Sequence, residues 1–349
     1  STGGFTITGT ANFLDTSMLT QSAVSTISAT GGLNFTTTTN CALTNGIITT
    51  QGNAVLGTGY SGDNDAHILQ FTGGGVQSLT ANGGLLSSLT VNKAGGSLTF
   101  MDSFTIQGTW LNTLGAVTVG ANTITLDIGT FTHTAGAINW AGSTFAITGA
   151  GVSTLTSTTA DSFNAITIAG GSTATHAAGA ASTAASVTGL GASAIANYNL
   201  VFNVTGNLDM NQATSQVNAT QNLTVGGNLL LGATNVLSSS ATLAVTGNLV
   251  AGNTLDADPI SATTVGGDMT LGNDADWNGT TLTVTGNMLT GTGLDADFSG
   301  AVNLGSLTVG ANSDFDAGAA LTVTNSVVFG NTLVSGSVTG IAIIGGGLT

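Results

Sequence analysis

Four aspartate pairs are the residues of this chain best placed to do chemistry: Asp256-Ala257-Asp258, Asp274-Ala275-Asp276, Asp295-Ala296-Asp297 and Asp314-Phe315-Asp316, with starts 18, 21 and 19 residues apart. Alternate side chains of a strand point to opposite faces, so the two carboxylates of each pair share one face and Ala257, Ala275, Ala296 and Phe315 share the other. Leu255, Trp277, Leu294 and Phe298 flank on the apolar side, which assigns that side to a core and the aspartates to solvent or an interface. Carboxylates stacked at the spacing of neighbouring strands, about 4.8 Å, repel one another by roughly 3 kcal/mol per adjacent pair at an effective dielectric near 20. Two readings offset that repulsion. One is a Ca²⁺ ladder held by Asp256, Asp258, Asp274, Asp276, Asp295, Asp297, Asp314 and Asp316, since Ca²⁺ takes about six to eight oxygen ligands. The other is a solvated acidic stripe, screened by salt, that keeps the surface soluble. The glycine-rich calcium-binding nonapeptide is absent, and the isolated Asp63-Asn64-Asp65 reads as a turn.

Other chemistries find few residues to use. His67, His133 and His176 are far apart without metal-ligand spacing and read as surface or turn residues. Cys41 is alone, which rules out an intramolecular disulfide and fits a small buried hydrophobe. No Ser-His-Asp, P-loop or dinucleotide pattern accompanies the glycines, whose spacing is that of turns. Clustered aspartates could serve as acid and base on a glycoside. Lyases of acidic sugars, however, call for basic residues, and Lys93 is the only Lys or Arg. The chain reads as non-enzymatic, with a polysaccharide-acting enzyme as the least favoured alternative. Asn34, Asn203, Asn218, Asn222 and Asn278 lie in glycosylation sequons, which chance explains in so Asn- and Thr-rich a chain.

The elements that position these residues follow from a repeat. Val204-Thr205-Gly206-Asn207-Leu208 returns as Val225-Gly226-Gly227-Asn228-Leu229, Val245-Thr246-Gly247-Asn248-Leu249, Val265-Gly266-Gly267-Asp268-Met269 and Val284-Thr285-Gly286-Asn287-Met288, at steps of 21, 20, 20 and 19 residues. A fixed step of this size marks a coiled β-solenoid, and roughly 17 rungs of about twenty residues fit the chain. Val and Leu point inward, and Gly-Asn forms a corner because both residues tolerate positive φ. Stacked rungs place Asn207, Asn228, Asn248, Asp268 and Asn287 in one hydrogen-bonded column, with Asp268 as its chemical interruption. The aspartate pairs keep the same step. The expected fold is therefore all-β, a parallel β-helix of about 20 residues per rung. Residues 1–75 are a less regular β-rich segment, 76–171 and 199–349 are solenoid rungs, and 172–198, rich in Ala, Ser and Gly, are an irregular loop or seam. Pro259, the only proline, belongs at a corner or edge.

Composition agrees. Of the residues 5% are charged and 41% hydrophobic, with 53 glycines and no Arg or Glu, so an amphipathic helix has no wet face here and short strands with tight turns do. The mean hydropathy of +0.40 argues against disorder. No apolar run reaches the roughly 18 residues of a membrane helix. A net charge of −15 disfavours nucleic acid and anionic membranes as partners.

Leu89-Thr90-Val91-Asn92-Lys93-Ala94-Gly95-Gly96-Ser97-Leu98-Thr99-Phe100 and the Val-Thr-Gly-Asn-Leu series resemble the β-strand repeats of large secreted bacterial surface proteins, the filamentous-haemagglutinin-like adhesins and autotransporter passengers, over residues 76–340. The resemblance implies a right-handed parallel β-helix at the cell surface or outside the cell, and it transfers no binding residue. The chain starts at Ser1 without Met, as expected after removal of a signal peptide, and offers trypsin-like proteases one site. Its first segment, Ser1 to Thr8, and its last, Val338 to Gly347, are uncharged, strand-prone and lack a cap. Open ends lead to head-to-tail strand addition between copies, and so to a structural subunit of a filament, sheath or surface layer. The alternative is a monomeric adhesin or glycan-binding stalk, which calls for exposed aromatic residues that Trp110, Trp140 and Trp277 are too scattered to supply.

Overall fold

The computed structural model describes residues 4–17, 19–21, 25–61, 66–330, 333–335 and 343–344. Asp63, Asn64 and Asp65, Ser1 to Gly3 and most of the Val338 to Gly347 segment lie outside the described residues, as does the side chain of Pro259. The fold is all-β, with parallel strands stacked as a solenoid of about 15 turns of roughly 21 residues, slightly longer and fewer rungs than the repeat alone gives. Among the described residues no helix is long and apolar enough to cross a membrane. The chain divides into two compact units, residues 1–167 with 177–180 and residues 168–176 with 181–349.

In the second unit each turn has three short faces joined by three corners. One turn comprises Ile195–Tyr198, Phe202–Val204 and Leu208–Met210, and the next comprises Gln216–Ala219, Leu223–Val225 and Leu229–Leu231. Each face pairs in parallel and in register with the same face of the next turn. The in-out alternation of a strand then converts sequence periodicity into columns. Val204, Val225, Val245, Val265 and Val284 line one inward column, and Leu208, Leu229, Leu249, Met269 and Met288 line the column across the corner. The Val and Leu of the repeat are thus the last inward residue of the second face and the first of the third.

The Gly-Asn between them works for a different reason from the one its residue types imply. Neither residue has positive φ at these corners. Instead the Asn207 Oδ1 accepts a hydrogen bond from the Asn228 N–H (2.9 Å), and Asn228, Asn248 and Asp268 do the same for the next corner up (2.8 Å each). A Cβ on Gly227, Gly247, Gly267 or Gly286 would lie 2.1 to 2.5 Å from that oxygen. Glycine is required because the side chain of the rung before fills its Cβ space. Asp268 does not interrupt the column, since only the Oδ1 acceptor is used.

Residues 172–198 are neither loop nor irregular: they contain the strands Thr173–Gly179, Ser182–Gly189 and Ile195–Tyr198, and the division between the two units falls within residues 167–181. Four of their alanines, Ala174, Ala184, Ala194 and Ala196, are buried core residues. The small side chains leave room inside for His176, Tyr198 and Phe202, whose rings pack with centroids 4.5 to 6.1 Å apart.

The first unit is built in the same way from Phe5 onward among the described residues. Phe5–Ile7, Thr26–Ala29, Asn45–Thr50 and Ala66–Phe71 stack in parallel, with Ser88–Phe100 following. Part of its core is an aromatic cluster. Trp110 and Trp140 lie 5.5 Å apart, with Phe131, Phe145 and Phe163 against them at 4.6 to 6.3 Å. Offset and edge-on contacts of this kind are favourable beyond the area they bury.

Candidate functional site

The acidic ladder lies on the first face of the second unit. Asp256, Asp276, Asp295 and Asp314 are successive register partners, and Asn278, Asp297 and Asp316 form a second column beside them. Asp258 falls where the register slips between Ala257 and Ile260. Asp274 is not part of the ladder. The rung from Asp256 measures twenty residues and reaches Asp276, so the pair beginning at Asp274 is offset by two, and Asn278 takes the place a second aspartate would have had. Asp274 occupies a corner in the left-handed region at φ 52°, in line with Thr214, Thr234 and Thr254 at 54° to 59°. Its N–H donates to the Thr292 carbonyl (2.8 Å). Ala257, Trp277, Ala296 and Phe315 point into the core, as the alternation requires.

The ladder carries the electrostatic strain expected of it. Partial burial, and then the charges of Asp295, Asp256, Asp258 and Asp297, raise the Asp276 carboxyl above its ordinary value. Asp297 is raised by desolvation and by Asp295, Asp316 and Asp314. The Asn278 Nδ2 donates to Asp276 Oδ1 (2.9 Å). Asn278, Asp297 and Asp316 also border an open groove of about 650 Å³, together with Phe298, Ser240 and Ser261. Among the described residues no three His, Cys, Asp or Glu side chains come together in a way that could hold a metal ion. The reason lies in the face itself: side chains on one side of a parallel sheet leave it side by side, one strand spacing apart, and do not converge on a point. Asp276, Asp295 and Asp314, with Asn278, Asp297 and Asp316 beside them, thus stand as two parallel columns along the face.

All three histidines are buried, contrary to their reading as surface or turn residues. His67 Nδ1 lies 3.3 Å from the Tyr60 hydroxyl, and burial pushes its pKa down to about 4. His133 Nδ1 lies 3.1 Å from both Asp161 carboxylate oxygens, while its Nε2 lies 3.2 Å from the Gly136 carbonyl. Trp140 Nε1 donates to the same carboxylate (3.1 Å). Desolvation lowers the His133 pKa, but the hydrogen bond and charge of Asp161 outweigh it and leave the group raised. With side-chain exposures of 2% and 1%, this His-Asp pair is closed to any substrate.

A second set of polar residues, invisible as a pattern in the sequence, lines the inner corner between the first and second faces of the first unit. Corner carbonyls point inward there and need donors. Thr50 and Gln77 serve Gly52 (3.2 and 2.8 Å), Lys93 serves Gly75 (2.9 Å), Asn112 serves Ala135 (3.1 Å), His133 faces Gly136, and Ser157 donates to Thr159. A buried carbonyl without a partner costs about 1–3 kcal/mol, which accounts for so many polar side chains inside. Trp110, Trp140 and Trp277 are buried as well, so none of them forms an exposed aromatic platform. No protein-family model, curated protein or solved structure matches the chain.

Proposed function

We propose that the chain is a structural subunit of an extracellular filament, sheath or surface layer, without enzymatic activity. The observation that carries this reading is the parallel, in-register stacking of one rung on the next, fastened by side-chain bonds between rungs at the Gly-Asn corners and along the inner corner. Parallel rungs present the same backbone groups at every level, so a strand from another copy can add by the bonds that join rungs within the chain. Such a contact joins two different surfaces and repeats without closing. Burial of Lys93, the only tryptic site, suits a protein that persists among proteases. A glycan-binding stalk would call on exposed aromatic rings, and the three Trp are in the core. Negative-stain electron microscopy and sedimentation of the full chain over a concentration series test the reading. Filaments or sheets that grow with concentration are expected, and particles of single-chain mass at every concentration overturn it.

A further inference from the structure

Lys93 is the only Lys or Arg among 349 residues, and it is 0% exposed. It lies in the strand Ser88–Phe100, where the in-out alternation carries it inward at the corner. A Cβ on Gly115, one turn later, would lie 2.7 Å from the Lys93 Cβ, so that glycine packs directly over the lysine stem. No carboxylate lies within ion-pair distance of its Nζ among the described residues. The Nζ donates to two groups, the Gly75 carbonyl (2.9 Å) and the Gln77 side-chain carboxamide at Oε1. Gln77 is itself 1% exposed, and its Nε2 is held by the Thr50 and Gly52 carbonyls (3.3 and 2.8 Å).

An ammonium at this place would be badly served. Among the described residues it has three N–H donors for two acceptors and no counter-ion, and an isolated buried charge of that kind is strongly disfavoured. Burial lowers its pKa towards the neutral amine, which is a nucleophile. The group hydrogen-bonded to it is a carboxamide, whose carbonyl carbon can acylate an amine with loss of ammonia. We propose that Lys93 and Gln77 are a modification site, joined in the mature protein by an intramolecular amide between Nζ and the Gln77 Cδ. The lone pair of Nζ attacks Cδ, the bond from Cδ to Nε2 breaks, and one proton passes from Nζ to the departing nitrogen, which leaves as ammonia. No oxidant, reductant or further reactant enters. The product is neutral and keeps one N–H on Nζ for the Gly75 carbonyl. The two carbonyls that the departing Nε2 gives up keep other donors, the Thr50 hydroxyl for Gly52 (3.2 Å) and the Thr72 N–H for Thr50 (2.9 Å). The link ties the turn holding the strand Gln77–Thr80 to the turn that follows it. It is independent of the assembly proposed above.

Two measurements on the full chain decide it. The intact mass is expected to fall short of the sequence mass by one ammonia, and the unfolded chain is expected to resist trypsin, because an acylated Lys93 removes the only cleavage site. The Gln77→Ala variant is expected to regain the sequence mass and to be cut once when unfolded. A wild-type chain of unaltered mass that trypsin cuts into two pieces overturns the proposal. So does an ammonia loss that leaves the cut in place, since this would put the loss elsewhere, for example at Asn45-Gly46.

Discussion

At the scale of single residues, the structure turns on atoms that sequence types only partly announce. Gly247→Ala puts a Cβ 2.5 Å from the Asn228 Oδ1, and overpacking of this kind costs about 1–3 kcal/mol. Gly74→Ala meets nothing within 4 Å and should be silent; urea unfolding of the two variants compares them. Asp268→Asn keeps the Oδ1 acceptor for Asn287 and should be close to neutral, whereas Asp268→Ala loses about 1 kcal/mol with that bond. Thr263 stands in a column of Leu223, Leu243, Leu282 and Val302, 2% exposed, with its hydroxyl unpartnered. Replacing it by the isosteric Val should raise stability by about 1 kcal/mol in the same assay. His133 has a folded-state pKa above its ordinary 6.5, so the stability it contributes with Asp161 is complete below that value and is lost as pH rises through the raised one. The thermal midpoint of the wild type should therefore fall above about pH 6.5, and Asp161→Asn should flatten that limb. His67 has the opposite sign, its contribution being lost as pH falls from 6.5 to about 4.

At the scale of strands and faces, the acidic ladder gives the clearest test. Its raised carboxyls mean that the folded face disfavours full ionisation, so added NaCl should raise the unfolding midpoint by screening charges that stand within a Debye length of about 8 Å. Ca²⁺ should do no more than NaCl of equal ionic strength, and EDTA nothing; a specific Ca²⁺ shift in a thermal melt would count against the stripe. How much of this face was legible follows from the step of the repeat. Val-x-Gly-Asn-Leu gave the solenoid, the inward Val and Leu, and the Asn column, because each rung repeats the same inward and corner residues. The aspartate step of 18, 21 and 19 hid the true register, since Asp274 and Asp276 both flank Ala275 and only pairing distinguishes them. A second ladder went unread for a similar reason: Asn253 and Asn273 accept from the Asn273 and Thr292 N–H groups (2.9 Å each), but the rung before has Ala233 at that place and the next has Thr292. The inner corner was illegible altogether. Its donors are Thr, Gln, Lys, Asn, His and Ser in turn, and what they share is an inward carbonyl, a property of the backbone path and not of residue type.

For the molecule as a whole, charge and burial set its dealings with other macromolecules. A chain with net charge −15 whose single Lys and three His are all buried presents no basic side chain to a phosphate, so a gel-shift titration with duplex DNA at low salt should show no complex. The same burial predicts that the native protein survives trypsin indefinitely. In the Gln77→Ala chain, where Lys93 keeps its amine, the cleavage rate should report the opening of that one turn. The Gly-Asn corners carry a broader consequence. Each glycine is fitted to the asparagine or aspartate one rung earlier, and a slip of one residue would turn every inward side chain outward. Length in this chain is therefore quantised: whole turns can be removed or duplicated, and fractions of a turn cannot. Excising residues 246–265 brings Gly267 over Asn228, with a glycine still facing an Oδ1, and should leave a shorter folded protein; excising one residue fewer should not. A gene that evolves under this rule is expected to grow or shrink by the whole turn.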